Sequence, residues 1–272
     1  MICQSVSCLI KLKNTQSRFL KQLILTDIPN TRIMEGAMIS PNAKISKTVI
    51  LHDNVTIEDD VIIHDYVVIY PSSIIRRGVE IYDHCVVGKP PTATNGVSRT
   101  PKAPMESLEI GENTVLCPSV VLYTGCKIGR NTLLGDYCSI REECTIGDDC
   151  IISRNVSVNY NTTIGNRVKV MDNSHITGNM LIEDDVFISV LVATTNDNTM
   201  GRQSYSEEHV RGPVIKKNVT IGAAANILPN ITIGENSIVG AGSVVTKDVP
   251  DRKVVMGVPA KIVRDVTDNE IK

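Results

Sequence analysis

Histidines, cysteines and paired acids are the residues of this chain whose types could support chemistry. Successive histidines are separated by 12, 20, 91 and 34 residues, a spacing that predicts no convergent three-histidine zinc site. A single histidine could still act as a general base. The five histidines are His52, His64, His84, His175 and His209.

The cysteines and acids also admit chemical interpretations. None of the eight cysteines forms a CxxC pair, so we expect reduced thiols, a cytoplasmic location and no bound metal. Three adjacent acid pairs resemble the carboxylates of acid–base catalysis, and five Asn-X-Ser/Thr sequons resemble glycosylation sites. The pairs are Asp59 and Asp60, Asp148 and Asp149, and Asp184 and Asp185; the sequon asparagines are Asn54, Asn155, Asn161, Asn218 and Asn230.

Composition predicts a narrow interior that is poor in aromatic rings. Aromatic residues make up 3% of the chain and tryptophan is absent, whereas an ordinary core of this size uses aromatic rings as bulky filler. The formal net charge of −2 argues against a nucleic-acid partner. No apolar run approaches the ~18 residues of a membrane span, so no membrane partner is predicted.

An internal repeat explains most of these residues. Thirty apolar residues recur at a spacing of six, in series that run from Ile33 to Val87, from Ile110 to Ile188 and from Ile215 to Val245. An α-helix does not explain that spacing, because six residues turn through about 600° and carry the stripe around the axis. A short strand followed by a tight corner does explain it. The apolar anchor points into a prism, and three hexads complete one coil.

The cysteines, sequons and acid pairs become positions of this repeat. Five cysteines stand four residues after an anchor, in a slot otherwise filled by small or β-branched residues, and are interpreted as small buried hydrophobes. The sequon asparagines stand three after an anchor, at the corner, where Asn tolerates left-handed backbone angles. The acid pairs also fall on corners, and we interpret them as solvated. The five cysteines are Cys85, Cys126, Cys138, Cys144 and Cys150.

The predicted fold is all-β, a parallel β-helix of about ten coils that is about 45–50 Å long at ~4.8 Å per stacked strand. Its body would span residues 31–249, with extended loops at 88–109 and 195–214. A solenoid leaves open strand edges at both ends. We therefore expect residues 1–30 to form an N-terminal cap segment and residues 250–272 to form a short C-terminal tail.

The two loops mark the candidate site. Both are polar and rich in turn formers, and long excursions from a regular scaffold are commonly functional. One coil contains eighteen residues. When residues eighteen apart are aligned on successive coils, both loops leave at a single edge of the prism. Two loops that converge on one edge make Glu142 and its neighbours candidate site residues. The residues stacked on that edge are Thr124, Glu142, Tyr160, Gly178 and Asn196.

Several stretches carry a family resemblance. Residues 239–265, VGAGSVVTKDVPDRKVVMGVPAKIVRD, resemble the closing signature of coenzyme A-dependent hexapeptide acyltransferases, and IGAAANILPNITIG at 221–234 resembles the coils before it. TTNDNTMGR at 194–202, with SIREECTIGDD and SVNYNTTIGNRVKV, resembles the branch that acylates nucleotide-linked amino sugars, which includes the dTDP-3-amino-3,6-dideoxyhexose N-acetyltransferases. The family resemblance covers roughly residues 35–265 and implies that the β-helix is left-handed.

The resemblance also implies partners and roles. It implies a homotrimer with active sites in grooves between subunits, acetyl-CoA as co-substrate, and a nucleotide-linked amino deoxysugar that is acylated on its amino group. The residues that would let the pantetheine approach the backbone are Ala223, Ala224, Gly240 and Ala241; those that would meet the phosphates are Lys247 and Lys261, with Arg252 nearby.

The sugar-binding residues follow from the same resemblance. Glu142 matches the Glu of the amino-sugar branch, whereas Tyr160 and Asn161 stand where that branch has Asn-Asp. The loop from Asn196 to Arg202 would fold over the groove towards the sugar. The residues predicted to bind the substrate are Glu142, Tyr160, Asn161, Asn196, Asp197, Asn198 and Arg202.

Three alternatives remain beside N-acylation. An amine near pH 7 needs no protein base, but an O-acetyltransferase on a sugar or small hydroxyl would use a histidine, for which His175 is the candidate. A γ-class carbonic anhydrase shares the β-helix but needs three converging histidines. A structural or ice-binding β-helix would present flat threonine rows and would lack the closing signature at 239–265.

Overall fold

The structure is a computed structural model. It describes residues 32–94, 96, 99–101, 106–206 and 208–271. The predicted N-terminal cap, residues 1–30, lies outside the described residues. Most strands are only two residues long, with one outward and one inward side chain before each corner.

The strands fall into three groups along the chain. Ten precede the first insertion: β1 (Arg32–Ile33), β2 (Met38–Ile39), β3 (Lys44–Ile45), β4 (Ile50–Leu51), β5 (Thr56–Ile57), β6 (Ile62–Ile63), β7 (Val68–Ile69), β8 (Ile74–Ile75), β9 (Glu80–Ile81) and β10 (Val86–Lys89). Fifteen lie between the insertions: β11 (Glu109–Ile110), β12 (Val115–Leu116), β13 (Val121–Tyr123), β14 (Lys127–Ile128), β15 (Leu133–Leu134), β16 (Ser139–Ile140), β17 (Thr145–Ile146), β18 (Ile151–Ile152), β19 (Ser157–Val158), β20 (Thr163–Ile164), β21 (Lys169–Val170), β22 (His175–Ile176), β23 (Leu181–Ile182), β24 (Phe187–Ile188) and β25 (Ala193–Thr194). Eight follow the second insertion: β26 (Val214–Ile215), β27 (Thr220–Ile221), β28 (Asn226–Ile227), β29 (Thr232–Ile233), β30 (Ile238–Val239), β31 (Val244–Val245), β32 (Lys253–Met256) and β33 (Lys261–Asp265).

Every third strand pairs in parallel, so the chain winds around three sheets. The first sheet runs from β1 through β4 to β31, the second from β2 through β5 to β29, and the third from β3 through β6 to β30, followed by β32 and β33. Residues eighteen apart are hydrogen-bonded partners wherever no insertion intervenes, as in the pairing of Ile140 with Val158. This all-β parallel solenoid is consistent with a left-handed β-helix, as predicted.

The interior is the stack of anchors. From Leu51 to Val245 the anchors are buried, and they form one continuous hydrophobic cluster. The narrow prism admits Ile, Val and Leu in register, which explains the scarcity of aromatic residues. The five cysteines in the fourth slot are also buried, and burial raises the pKa of the Cys85 thiol to about 12. Their interpretation as buried hydrophobes is confirmed.

The corners have the left-handed backbone geometry that was predicted for the sequon asparagines. All five sequon asparagines adopt φ between 52° and 59°, the left-handed region that Asn tolerates best among residues with a side chain. The acid pairs also lie at corners, where Asp148 is 3.1 Å from Arg130, and Asp185 is 2.7 Å from Arg167. Asp148 and Asp185 are therefore partners of surface arginines, whereas Asp59 and Asp149 accept hydrogen bonds from Asn42 and Asn131.

The solenoid is slightly longer than predicted. The three sheets contain eleven, ten and twelve strands, against ten predicted coils. One extra strand is β25, whose anchor Thr194 is buried and donates a hydrogen bond to the carbonyl of His175 over 3.0 Å. Within the predicted C-terminal tail, β32 and β33 form an antiparallel hairpin, and a short 3-10 helix spans Asp268–Glu270. In the described part of the chain, no helix is long and apolar enough to cross a membrane.

Candidate functional site

Both insertions leave the β-helix at one corner, between the first and second sheets, which we call the loop corner. The first insertion joins β10 of the first sheet to β11 of the second, and the second joins β25 to β26. β10 and β25 are five levels apart, about 24 Å at ~4.8 Å per level. The two insertions therefore approach the intervening levels from opposite ends of the same corner. The alignment of residues eighteen apart predicts this shared corner.

Glu142 lies on the loop corner after β16, and its side chain is fully buried. Arg141 donates hydrogen bonds to both carboxylate oxygens, over 2.8 and 3.1 Å, and Arg99 of the first insertion donates another over 2.5 Å. Burial opposes the ionisation of Glu142. Hydrogen bonds donated by Arg141, by the backbone N–H of Glu142 and by Arg99 outweigh burial and lower the pKa of Glu142. Glu142 is therefore a buried carboxylate held ionised by two guanidinium groups.

Arg99 lies between this carboxylate and an aromatic ring. Its Nη2 donates to Glu143 over 3.1 Å, and its guanidinium carbon lies 3.9 Å from the centroid of the Tyr160 ring. That distance is typical of a cation–π contact. The side chain of Arg99 is 13% exposed. Three neighbours from two levels of the loop corner thus fix the guanidinium, and part of the Arg99 side chain remains exposed.

Tyr160 is where the two insertions meet. Tyr205 of the second insertion contacts it edge to face, with ring centroids 6.4 Å apart. Burial and the neighbouring Tyr205 raise the pKa of Tyr160, although a hydrogen bond with Asn196 opposes that shift. Asn196 also donates to the carbonyl of Gly178 over 3.1 Å. We call Arg99, Glu142, Glu143, Tyr160 and Tyr205 the loop-corner cluster.

Gly178 makes room for the Tyr160 ring, and this predicts a measurable strain. A Cβ at position 178 would lie 2.8 Å from two ring carbons of Tyr160. We expect Gly178→Ala to lower the free energy of unfolding by about 1–3 kcal/mol, the usual cost of overpacking. Urea unfolding would measure this. In a Tyr160→Ala background the same substitution should have almost no effect; an equal loss in both backgrounds would contradict the contact.

The structure brings only some of the predicted sugar-binding residues together. Glu142, Tyr160 and Asn196 meet at the loop corner. The side chain of Asn161 instead donates to Asn179 on the next level, over 3.0 Å. Glu142 has no exposed surface, so any effect it has on a ligand passes through Arg99 or Arg141 in this conformation.

The remaining predicted residues lie along the second insertion. The carboxylate of Asp197 accepts hydrogen bonds from both the backbone and the hydroxyl of Thr199, over 2.7 and 2.6 Å, and from the backbone of Gly201 over 2.8 Å. It therefore shapes the insertion itself. Asn198 and Arg202 are exposed. Their contacts with a sugar stay predictions.

Sequence reasoning missed Arg99, Arg141 and Tyr205. Arg99 lies 43 residues from Glu142 in the chain, inside an aperiodic insertion, so no register relates the two. Arg141 left a signal, because it stands directly beside Glu142 at an outward position. Arg99 and Tyr205 left one further signal. They are an arginine and an aromatic residue in two insertions that leave the same corner.

The predicted coenzyme A residues occupy a different corner, between the third and first sheets, which we call the alanine corner. Ala223 and Ala224 follow β27, and Ala241 follows β30 one level along; the carbonyl of Ala223 accepts from the backbone of Gly242 over 2.8 Å. Gly240 borders this row. Lys247 and Lys261 are exposed, the former on the loop corner after β31 and the latter at the start of β33.

His175 lies on the first sheet, which joins the alanine corner to the loop corner. Its Nδ1 lies 2.7 Å from the hydroxyl of Ser157 on the adjacent strand β19. Burial lowers the pKa of His175, so the imidazole is neutral at pH 7. Among the residues that the structure describes, no three His, Cys, Asp or Glu side chains converge as a metal site requires.

A separate surface cleft lies at the corner between the second and third sheets. It has a volume of about 720 Å³, and Arg167, Lys169, Phe187 and Lys217 line part of it. Arg167 there is bonded to Asp185 over 2.7 Å. Neither insertion leaves from this corner, so the cleft lacks the convergence that distinguishes the loop corner.

Comparison with known proteins agrees with the repeat. Residues 125–159 and 212–247 match the family described as bacterial transferase hexapeptide (six repeats). Two curated relatives are a serine acetyltransferase from Buchnera aphidicola, 44% identical over 102 residues, and the galactoside O-acetyltransferase of Escherichia coli K12, 37% identical over 109 residues. These alignments cover 35% and 36% of this chain and 36% and 54% of the relatives, so the chain spans about a third to a half of their length.

The fold has a solved counterpart. The UDP-N-acetylglucosamine O-acyltransferase (LpxA) from Moraxella catarrhalis superposes with a TM-score of 0.51 at 20% identity, covering 89% of this chain and 75% of that one. At that identity the likeness concerns the β-helix alone. Together with the repeat match at 125–159 and 212–247, it shows that this chain shares the β-helix and, in those two stretches, resembles the hexapeptide repeats of the bacterial transferases.

Proposed function

We propose that this protein is an acyltransferase that moves an acyl group, most simply acetyl, from coenzyme A to an acceptor bound at the loop-corner cluster. The observation that carries the proposal is the convergence of the two insertions on Tyr160, through Arg99 from one side and Tyr205 from the other. The named relatives, a serine acetyltransferase and a galactoside O-acetyltransferase, support the class of reaction.

Acetyl-CoA fits the alanine corner better than the loop corner. The outer surface there consists of small residues on two successive levels, Ala223 with Ala224 and then Ala241 with Gly242, which leave the backbone accessible to a narrow pantetheine chain. Lys247 and Lys261 are exposed cations in the same C-terminal part of the β-helix and suit the phosphates. The first sheet, with His175 on it, would then lie between donor and acceptor. We also propose that three subunits associate and that a neighbouring chain completes each groove.

The acceptor we propose is the amino group of a nucleotide-linked amino deoxysugar. Its neutral nitrogen attacks the thioester carbon, the C–N bond forms and the C–S bond breaks. The proton lost by nitrogen passes to the departing thiolate. Such a reaction depends on positioning rather than on a strong protein base. The aromatic rings of Tyr160 and Tyr205 and the guanidinium of Arg99 suit a ligand that combines a sugar ring, a base and phosphate.

O-acylation is the second candidate, and His175 is the observation that favours it. The imidazole is neutral, and its Nδ1 is held by Ser157, an arrangement that leaves Nε2 as the nitrogen for a substrate hydroxyl. The names of the two curated relatives state their acetyl acceptors, serine and a galactoside. Both acceptors carry a hydroxyl group. A histidine base typically contributes about 10²–10⁴-fold to rate.

One experiment separates the two reactions. We expect the protein to release thiol from acetyl-CoA when offered dTDP- or UDP-linked amino sugars, and to leave matched hydroxy sugars unmodified. His175→Asn should then change kcat/KM less than about threefold, and the pH profile should follow the amine of the acceptor. A loss of about 10²–10⁴-fold in His175→Asn, with turnover only of hydroxyl acceptors, would establish O-acylation. No turnover of either panel would contradict the proposed function.

A further inference from the structure

We infer that Arg99 is the specificity-determining residue of the acceptor site, and that it selects acceptors carrying an oxyanion, either phosphate or carboxylate. Glu142 acts as the positioning residue that holds Arg99 in place. This inference rests on the proposed function, because it assigns a ligand class to the same site. The juxtaposition that carries it is a fully buried carboxylate bonded to the guanidinium of Arg99, whose side chain is still 13% exposed.

The guanidinium of Arg99 is oriented from several directions. The buried carboxylate of Glu142 accepts from Nη1 over 2.5 Å, Glu143 accepts from Nη2 over 3.1 Å, and the ring of Tyr160 covers one face. A long side chain loses less freedom on binding a ligand when its rotamer is already fixed. Arg99 is therefore preorganised in a way that the exposed Arg202 is not.

Arg99 retains donors for a ligand. A guanidinium has five N–H groups in a planar fork, and two of them are used in the bonds to Glu142 and Glu143. Within the part of the chain that the structure describes, no acceptor bonds the Nε–H. Planar carboxylates and tetrahedral phosphates both present pairs of oxygens that match this fork better than neutral hydroxyls do.

Charge in the cluster leaves room for an anion. Two arginines, Arg99 and Arg141, face two glutamates, Glu142 and Glu143, so the group is close to neutral. Glu142 is enclosed, whereas the side chain of Arg99 reaches the surface with 13% of its area. The side chains of Arg141 and Glu143 are 35% and 33% exposed, so two cations but only one carboxylate of this group reach the surface.

Anchoring of the first insertion does not require Arg99. The backbone of Thr124 donates to the carbonyl of Lys89 over 3.0 Å, and its hydroxyl donates to the carbonyl of Glu106 over 3.1 Å. The carboxylate of Glu106 also lies 2.8 Å from Lys127. Both ends of the insertion are thus fixed to the β-helix by other residues, so Arg99 variants are expected to remain folded.

The test compares acceptor preference in wild type, Arg99→Gln and Arg99→Lys, with Arg130→Gln as a matched control on another corner. The acceptors are a nucleotide-linked amino sugar, the methyl glycoside of the same amino sugar, and the methyl glycoside of an amino uronic acid. Calorimetry gives Kd for each acceptor, and thiol release gives KM for both substrates. Differences between the phosphate and carboxylate arms identify which oxyanion Arg99 meets.

We expect Arg99→Gln to weaken binding of the preferred oxyanion acceptor about 10- to 100-fold, the range of a charge-assisted bond. Binding of the methyl glycoside of the amino sugar, which carries no oxyanion, and the KM for acetyl-CoA should stay constant. Arg99→Lys should recover part of the loss, and Arg130→Gln should match wild type. An unchanged preference in Arg99→Gln would overturn the inference. Oxyanion-selective binding that depends on Arg99 but without any turnover would uphold it while removing the proposed acyl transfer.

Discussion

Glu142→Gln is expected to lower both the stability of the protein and its affinity for the acceptor, although Glu142 has no exposed surface. The amide preserves the shape of the side chain but removes the charge that two arginines face. Breaking a buried ion pair costs about 3–5 kcal/mol, because the remaining charge loses its partner. The partial exposure of Arg141 and Arg99, 35% and 13%, favours the lower end of that range.

Thermal unfolding would measure the stability change directly. A loss of about 3 kcal/mol corresponds to a fall in Tm of about 6–12 °C for a domain of this size. Glu143→Gln is the matched control, because Glu143 is 33% exposed and shares the same arginine. Exposed pairs contribute about 0–1 kcal/mol, so this control should stay close to wild type. Equal effects of the two substitutions would contradict the role of burial.

The same prediction has a pH signature with a definite sign. The pKa of Glu142 is lowered in the folded protein, so its contribution is present above the unfolded value of about 4.3. That contribution disappears as the pH falls through the lower folded-state pKa. Wild type should therefore lose more stability than Glu142→Gln on acidification below about pH 4.3. Parallel stability curves for the two proteins would show that the carboxylate is not held ionised.

Kinetics separate positioning from folding. If Glu142 positions Arg99, Glu142→Gln raises the KM for the acceptor at a temperature where the variant is folded, and the KM for acetyl-CoA stays constant. In an Arg99→Gln background the same substitution should add little further loss, because the residue it positions is already absent. Independent, additive losses would assign Glu142 a purely structural role.

Ala241→Trp is expected to abolish acetyl-CoA binding and leave the fold intact. Ala241 is exposed on the alanine corner, so a larger side chain there needs no rearrangement of the core. It would occupy the path assigned to the pantetheine chain, and displacing a substrate by about 1 Å can cost about 100-fold in rate. We therefore expect kcat/KM for acetyl-CoA to fall at least about 100-fold while the Kd of the acceptor is unchanged.

Asp136→Trp provides the control for the alanine corner. Asp136 follows β15 and occupies the same position of the repeat five levels below Ala241. A tryptophan there enlarges the same row of side chains without entering the C-terminal levels. If both substitutions lowered kcat/KM for acetyl-CoA equally, the alanine corner would not be the coenzyme site.

The repeat made most of the fold predictable from sequence. A spacing of six fixes which side chain enters the prism, and the structure places anchors from Leu51 to Val245 in one buried stack. Corner asparagines such as Asn155 adopt the left-handed angles that their position demands. Thr194 escaped the apolar pattern because its hydroxyl bonds the carbonyl of His175 inside the stack. The handedness depended on the family resemblance, since repeat arithmetic is the same for either hand.

The candidate site was predictable only where the repeat reaches it. The alignment of residues eighteen apart predicted that Glu142, Tyr160 and Asn196 lie on one edge. In the structure all three lie at the loop corner. The insertions follow no period, so the contact of Arg99 with Glu142 and that of Tyr205 with Tyr160 had no signal in residue spacing. Asp197 had the residue type of a ligand-binding acid, but local backbone donors use its carboxylate.

A crystal structure with coenzyme A and an amino-sugar nucleotide bound would test the central claim most directly. We predict that the acceptor lies at the loop corner, with an oxyanion within hydrogen-bonding distance of Arg99 and its rings against Tyr160 and Tyr205. The coenzyme should follow the alanine corner. An acceptor bound instead in the cleft lined by Arg167 and Lys217, with Arg99 and Tyr160 untouched, would contradict the assignment of the site.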